Sequence, residues 1–401
     1  MKDLATKNSK DTKKAWPLVR LGDVCESFNG LWKGTKQPLK TVGVIRSTNF
    51  TKQCEFDHSK IIFIEVEEKK FLKRKLQCGD IVVERSGGGP NQPVGRVLLF
   101  NIEEGDYTIS NFTSALRIKD KCALDSSYLH RVLVAQYFSG VTAKMQSNAT
   151  NIINLHYDEF LNIEFPLPPL TVQREIVARL EKELGEADKL AAKFKRVAEL
   201  ADNAFKAELD ETFKALEDNS RRDAETRRVR LGDVCEVLDS KRKPIAKKNR
   251  EPGSIPYYGA TGIVDYVKDY IFDERLVLLG EDGAKWGSGD NSAFIIEGKS
   301  WVNNHAHVIR VCSDLSADYL VAYLNFADLS PSITGVTVPK LNQQRMCDIV
   351  IPLPSLSAQC AIIAKLDAAK ERCEKLKAAA MRGHAAAENL RKAILAEAFE
   401  Q

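Results

Sequence analysis

The sequence predicts an α+β protein: two mixed α/β globular stretches separated by two long helices that pair as an antiparallel coiled coil, with pseudo-twofold symmetry. Three observations lead there. The chain repeats itself. Each copy closes in one long segment with apolar residues at three- and four-residue steps, and each opens in short β-branched runs broken by Gly, Pro and Asn.

The repeat is direct. Val19-Arg20-Leu21-Gly22-Asp23-Val24-Cys25-Glu26 returns unchanged as Val229 to Glu236, 210 residues later. A second pair, Pro166-Leu167-Pro168-Pro169-Leu170 and Pro352-Leu353-Pro354-Ser355-Leu356, is offset by 186 residues, and that register runs without a gap to Phe213 and Phe399, matching Gln173 to Gln359, Leu180 to Leu366 and Asn203 to Asn389. At 401 residues the chain also exceeds one ordinary core, since domains hold roughly 100 to 200 residues.

In chain order, residues 1–15 are rich in Lys, Asp, Ser and Thr and read as a disordered tail. Residues 16–169 form the first globular stretch, with strands expected at Val42 to Ile45, Ile61 to Ile64, Asp80 to Val83 and Gly95 to Phe100, and a helix near Ser127 to Phe138. The segment 170–217 follows as a helix with Thr171 as N-cap, its stripe carried by Ile176, Leu180, Leu184, Ala187, Leu190, Phe194, Val197, Ala201, Phe205 and Leu209. Residues 218–228 (DNSRRDAETRR) read as a charged linker. The second globular stretch, 229–355, has strands expected at Leu276 to Leu279 and Val302 to Val311 and a helix near Ala317 to Phe326. The last helix, 356–401, starts after Ser357 as N-cap and carries Ile362, Leu366, Ala369, Cys373, Leu376, Ala380, Ala387, Leu390, Ile394 and Phe399. An apolar stripe on a helix of about 45 residues, roughly 65 to 70 Å long, needs a partner, and the two copies are each other's obvious choice; packing on another subunit is the alternative.

Composition narrows the function. An apolar fraction of 44% and a charged fraction of 28% are those of a folded protein. The net charge of +4 is too small by itself to indicate nucleic acid. Nine scattered cysteines without a CxxC pair disfavour zinc modules and a disulfide framework, and no apolar run of about 18 residues offers a membrane span, so a cytoplasmic protein is expected. Catalytic signatures are missing: Gly298-Lys299-Ser300 lacks the earlier glycine of a phosphate-binding loop (Ala293 stands there), no Asn-Pro-Pro-Tyr or Asp-Pro-Pro-Tyr element can hold a flipped adenine, and no GxGxxG follows a strand. His305 and His307 sit two apart, on one face if on one strand, without acidic or thiol partners nearby; a structural or DNA-contacting role suits them better than metal.

What remains suits nucleic acid. Lys241, Arg242, Lys243, Lys247, Lys248 and Arg250 put six cations in ten residues, where they can neutralise phosphates, or form solvated surface. The first half offers Lys33, Lys36, Lys40, Arg46 and Asn49, then Arg85-Ser86-Gly87-Gly88-Gly89-Pro90-Asn91-Gln92. There the glycines let backbone approach a phosphate, and Arg85, Asn91 and Gln92 can read base edges; an ordinary glycine turn is the alternative. Lys144, Gln146, Asn148 and Asn151, with counterparts Lys340, Asn342 and Gln343, recur just before each long helix.

The layout resembles the specificity subunit of Type I restriction-modification systems. Trp16-Pro17-Leu18-Val19-Arg20-Leu21-Gly22-Asp23-Val24, Asn29-Gly30-Leu31-Trp32-Lys33-Gly34 and Val44-Ile45-Arg46 look like the start of that family's target recognition domain. The second half is closer still: Ile255 to Tyr266 (IPYYGATGIVDY), Leu278 to Ala284 (LLGEDGA), Val302 to Val308 (VNNHAHV) and Leu390 to Phe399 are similar in order and spacing, although Cys360 stands where a charged or polar residue is usual. Membership implies two target recognition domains, each reading one part of a split DNA site, with the helix pair as ruler. Tyr257, Tyr258, Asn303, Asn304 and His305 in the matched segments, with Lys285 and Trp286 directly after one of them, join the DNA-contacting candidates. Membership further implies double-stranded DNA as ligand, two modification (methyltransferase) subunits using S-adenosylmethionine, and restriction subunits driven by ATP and Mg, with no cofactor, metal or catalysis on this chain. The repeated VRLGDVCE segments and the helices are then the docking surfaces for the repeated partner. A diverged methyltransferase or nuclease, and a coiled-coil scaffold with a merely basic surface, are the rivals from other classes.

Overall fold

The computed structural model describes residues 16–89, 92–149, 152–222, 226–335 and 337–399. The tail expected at 1–15 lies outside them. The chain divides into two compact units, Met1–Lys193 with Gly383–Gln401, and Phe194–Arg382.

In the first unit a four-stranded antiparallel sheet runs in the order Cys25–Asn29, Thr113–Ile118, Ile81–Glu84, Val97–Leu99. The Ile81–Glu84 strand is buried along its whole length, so this sheet is packed on both faces, on Leu129, Val132 and Leu133 of the helix Ser126–Phe138 and on Phe50 and Phe100. A second sheet pairs Leu39–Ile45 antiparallel with Ile62–Glu67 and parallel with Tyr107–Ile109. Two short strands, Leu18–Arg20 and Glu164–Pro166, close the unit where the long helix begins.

The second unit repeats this design in different residues. Its four-stranded sheet has the order Cys235–Val237, Ala306–Val311, Leu276–Gly280, Ala293–Ile296, and the closing pair is Arg227–Arg230 with Val350–Leu353. Its other sheet joins Pro252–Gly259 antiparallel to Gly262–Val267 and parallel to Lys299–Val302. The run expected as one strand from Val302 to Val311 is two, because Asn303 to His305 turn between them.

The repeated residues turn out to be internal. Leu21 and Cys25, like Leu231 and Cys235, are buried, leaving Asp23 and Glu26, or Asp233 and Glu236, outside. Gln173 is wholly buried; its Oε1 accepts from the Asp125 amide and its Nε2 donates to the Ala123 and Pro168 carbonyls. Gln359 does the same with the Ser316 amide and the Asp314 and Pro354 carbonyls. Asp125 and Ser316 are the N-cap residues of the short helices Ser126–Phe138 and Ala317–Phe326, so each glutamine locks a long helix to the start of a short one. Tyr128 and Tyr319 repeat the pattern, donating to the Pro166 and Pro352 carbonyls.

The long helices span Leu170–Arg222 and Leu356–Phe399, so Thr171 and Ser357, expected as caps, lie inside their first turns. Ser355 takes the capping role in the second, accepting from the Ala358 amide. The first runs on through Asp218 to Arg222, and a strand opens at Arg227, so the segment read as an 11-residue linker is mostly regular structure; residues 223–225 lie outside the described set. Within each unit the helices meet in opposite directions. In the first, Arg391 donates twice to Asp188 at 2.8 Å, and Leu395 joins Leu180 and Leu184 in the core. In the second, Lys377 reaches Asp202 and Lys365 reaches Glu208. Alanines 187, 201, 380 and 387 are buried along the seams. Leu190, Leu376 and Leu390, expected on the stripe, are exposed instead, because a straight helix drifts off a strict seven-residue repeat. Among the described residues no helix is long and apolar enough to cross a membrane.

Candidate nucleic-acid interface

Both four-stranded sheets end in a polar cluster, and strand register shows that the two clusters occupy the same place. Cys25 opposes Ile118 and Val83 opposes Ser114, as Cys235 opposes Val311 and Leu279 opposes His307. Asn29 therefore corresponds to Asp239, Ser114 to His307, and Arg85 to Glu281. The backbone agrees: the Leu155 amide donates to the Arg85 carbonyl, and the Leu341 amide, 186 residues on, to the Glu281 carbonyl.

In the first unit Arg85 donates from Nη1 to Asn29 Oδ1 at 2.8 Å and stacks its guanidinium 4.4 Å from the Tyr157 ring centroid. Burial pushes the Tyr157 hydroxyl up from its ordinary pKa, and it shares a hydrogen bond with Ser27. Ser86 donates to Asn154 at 2.6 Å, fastening the hairpin of Gln146–Ala149 and Ile152–Leu155 to the sheet end.

In the second unit the same position carries charge. His307, fully buried, sets Nδ1 2.6 Å from Asp239 and donates from Nε2 to the Leu341 carbonyl. Arg242 bridges Asp239, Glu281 and the Ala306 carbonyl, and Lys340 reaches Glu281 at 2.7 Å. Burial raises the Glu281 carboxyl, but the bonds from Lys340 and Arg242 outweigh it and hold the group below its ordinary range. Although Asp239, Glu281 and His307 lie within metal-binding distance of one another, two side-chain cations and the Val308 amide already occupy their lone pairs, a donor set that repels a divalent ion. His305 is not on the strand with His307; it sits in the preceding turn, solvent-facing and paired with Asp282.

These clusters sort the basic candidates. Lys33, Lys36, Lys144, Lys241, Lys243, Lys247, Lys248 and Lys285 are exposed, and their side chains have no ion-pair partner among the described residues. Asn304 is exposed too. Arg242 and Arg250 are corrections: Arg242 is spent on the buried carboxylates, and Arg250 binds Asp265 and the Ile245 carbonyl while stacking on Tyr257. They pin the basic loop so that its lysines face water.

Four further candidates are buried and withdrawn as DNA contacts. Asn49 caps the Ser47–Asn49 turn through the Arg46 amide and donates to the Asp57 carbonyl. Tyr257 accepts from the Ile245 amide, Trp286 donates to the Gly280 carbonyl, and Asn303 accepts from the His305 amide. Arg85, Ser86 and Lys340 are held as described, and Asn342 caps the helix Gln343–Cys347 through the Arg345 amide. Arg46, Gln92 and Tyr258 are half-buried, Gln92 beside the Arg96 guanidinium. Asn91, Asn151 and the side chain of Asn148 lie outside the described residues. Sequence reading missed Asn29, Ser114, Asn154, Asp239 and Glu281; the available signal was the 186-residue match of Leu155 to Leu341.

The model of the Type I restriction modification DNA specificity domain matches residues 13–192 and 224–380. A putative type I restriction enzyme specificity subunit of Haemophilus influenzae, S.HindORF215P, is 36% identical over 138 residues, 34% of this chain and 36% of that protein. The type I restriction enzyme EcoprrI specificity subunit of Escherichia coli is 24% identical over 205 residues, 50% of this chain and 49% of that one. The matched regions thus span half or less of these curated relatives. Among solved structures, a chain from the type I R-M system studied for complex assembly and conformational transition superposes with a TM-score of 0.74 at 19% identity, over 96% of this chain and 98% of its own. The HsdS subunit from Thermoanaerobacter tengcongensis gives 0.61 at 19% identity, over 96% and 97%. At those identities the shared property is the fold.

Proposed function

Because the chain belongs to the family of Type I restriction-modification DNA specificity subunits, we propose that it reads a bipartite, asymmetric double-stranded DNA site, one half-site per globular unit, with the helix pair setting the spacer. The observation that carries this reading is the repeated sheet end: each unit presents a rigid polar cluster with a lysine-bearing loop leaving the same strand, Lys33 and Lys36 after Asn29, Lys241 to Lys248 after Asp239. Free lysines supply sequence-independent affinity by phosphate neutralisation, and the differing clusters supply different base contacts. Two half-sites bound by one chain make the second contact intramolecular, which multiplies selectivity for the composite site.

In this reading the chain is not itself catalytic. It works in the cytoplasm, docking two methyltransferase subunits that use S-adenosylmethionine and, in a complete system, restriction subunits that use ATP and Mg. Since the VRLGDVCE segments bury their apolar residues, docking falls to the exposed faces of the helices and to Asp23, Glu26 and their counterparts Asp233 and Glu236.

Selection of bound duplexes from a randomised library tests the reading. It expects two half-sites at fixed separation. Seven residues added to each long helix, after Lys193 and after Arg382, lengthen it by about 10 Å and widen that separation by up to about three base pairs. No preferred sequence, or an unmoved separation, refutes it.

A further inference from the structure

We propose that Phe112 and His305 are matched specificity-determining residues, one in each unit, that face the DNA bases from the same structural position; this rests on the DNA-reading function proposed above. They are 193 residues apart, an offset that neither sequence repeat predicts, so only the hydrogen-bond register pairs them. The Phe112 carbonyl accepts from the amides of Arg85 and Ser86 at 2.9 and 3.3 Å, and the His305 carbonyl accepts from those of Glu281 and Asp282 at 2.8 and 3.4 Å. Each residue ends the turn that feeds the second strand of its sheet.

Both side chains face solvent although their backbones are clamped. Phe112 is 56% exposed, and the His305 side chain 51%. The first turn is tied by Thr113 to the Ser110 carbonyl, the second by the His305 amide to Asn303. An exposed phenyl ring on a rigid turn gains nothing for folding, whereas a positioned apolar or stacking group is what contact with a thymine methyl or a base step requires. The lysine loops start beside both turns. At Gly30 an added Cβ would lie 1.9 Å from the Ser110 carbonyl, and Arg242 donates to the Ala306 carbonyl. Phosphate contacts and a base-facing residue therefore share one edge in each unit.

The two residues differ in chemistry, as readers of unlike half-sites must. Phe112 offers only apolar contact. His305 turns Nδ1 to the Asp282 carboxylate, which can only accept its hydrogen bond, so in the uncharged form of the ring Nε2 is an acceptor suited to the amino group of adenine or cytosine.

The test uses the full chain and the randomised duplex selection, with F112A and H305A beside the wild type and thermal unfolding as a folding control. F112A is expected to lose roughly tenfold discrimination at one base pair of one half-site and H305A roughly tenfold at an adenine or cytosine of the other, with the slope of affinity against salt unchanged. Unaltered preferences in both variants, while the wild type still selects a bipartite sequence, overturn the inference alone; so does a reduced salt slope, which marks phosphate contact instead. A wild type that selects nothing overturns the DNA reading and this inference together. Should either alanine variant lose its thermal transition, F112Q and H305L, close in size and opposite in polarity, carry the same comparison.

Discussion

Replacing Gln359 by Leu keeps the buried volume and removes three hydrogen bonds at once. The Ser316 amide and the Asp314 and Pro354 carbonyls, now bonded at 2.8 to 2.9 Å, lose their partner in a site without solvent access. A stranded buried polar group costs about 1 to 3 kcal/mol, so three groups, partly relieved by rearrangement, cost about 3 to 5 kcal/mol. Gln173→Leu strands the Asp125 amide and the Ala123 and Pro168 carbonyls at 2.8 Å, and its cost should be equal. Because two units need not unfold together, hydrogen exchange is the suitable assay. The Ser316 amide should exchange about 10² to 10⁴ times faster in Gln359→Leu, with Asp125 unaffected, and Gln173→Leu should show the converse. A loss below about 1 kcal/mol in either variant, or a cost differing by more than about 2 kcal/mol between them, refutes the idea that the two glutamines perform one structural task twice.

Other expectations follow from the sorting of charges. Joint replacement of Lys241, Lys243, Lys247 and Lys248 by Ala should lower the slope of log affinity against log salt by about 0.9 for each phosphate no longer neutralised, measured by titration at several salt concentrations. Arg242→Ala should leave that slope unchanged and instead cost about 3 kcal/mol in denaturant unfolding, since it abandons the buried carboxylates of Glu281 and Asp239. In the first unit, burial and then the neighbouring Arg131 push His130 down from 6.5 to about 4, while its Nε2 donates to the Cys54 carbonyl. The unfolded chain therefore takes up the proton first: the contribution is complete above pH 6.5 and is lost as pH falls toward 4, and His130→Gln should flatten thermal stability across that window.

Features with a local period were legible without coordinates. The three- and four-residue stepping of apolar side chains announced both long helices, and the gapless 186-residue match fixed their correspondence to Phe213 and Phe399. The direction in which a polar side chain points was not legible. Asn49 stands in a polar stretch and Tyr257, Trp286 and Asn303 stand in or beside segments that the family resemblance marks for DNA, yet each is drawn inward by a backbone group that folding brings alongside. Arg242 and Lys241 are neighbours in one basic run; a buried Glu281 thirty-nine residues away decides that the first is structural and the second free. The break at Asn303 to His305 is hidden because the residues around it read as one strand, and Phe112 pairs with His305 only through register.

The first unit's core contains Leu395, with Ile394, Ala398 and Phe399 packed against it and the Phe399 ring 5.7 Å from that of Tyr128. Translation reaches these residues only after the whole of the second unit. A ribosome that has released residues 1–193 has supplied every strand of the first unit but not the piece that seals it, whereas the second unit, Phe194–Arg382, is uninterrupted. The earlier-made half thus waits open, with Leu180, Leu184 and Tyr128 lacking their last packing partners until Phe399 has been made. A stop codon at Leu395 therefore injures the amino-terminal half of the molecule rather than its neighbour in sequence.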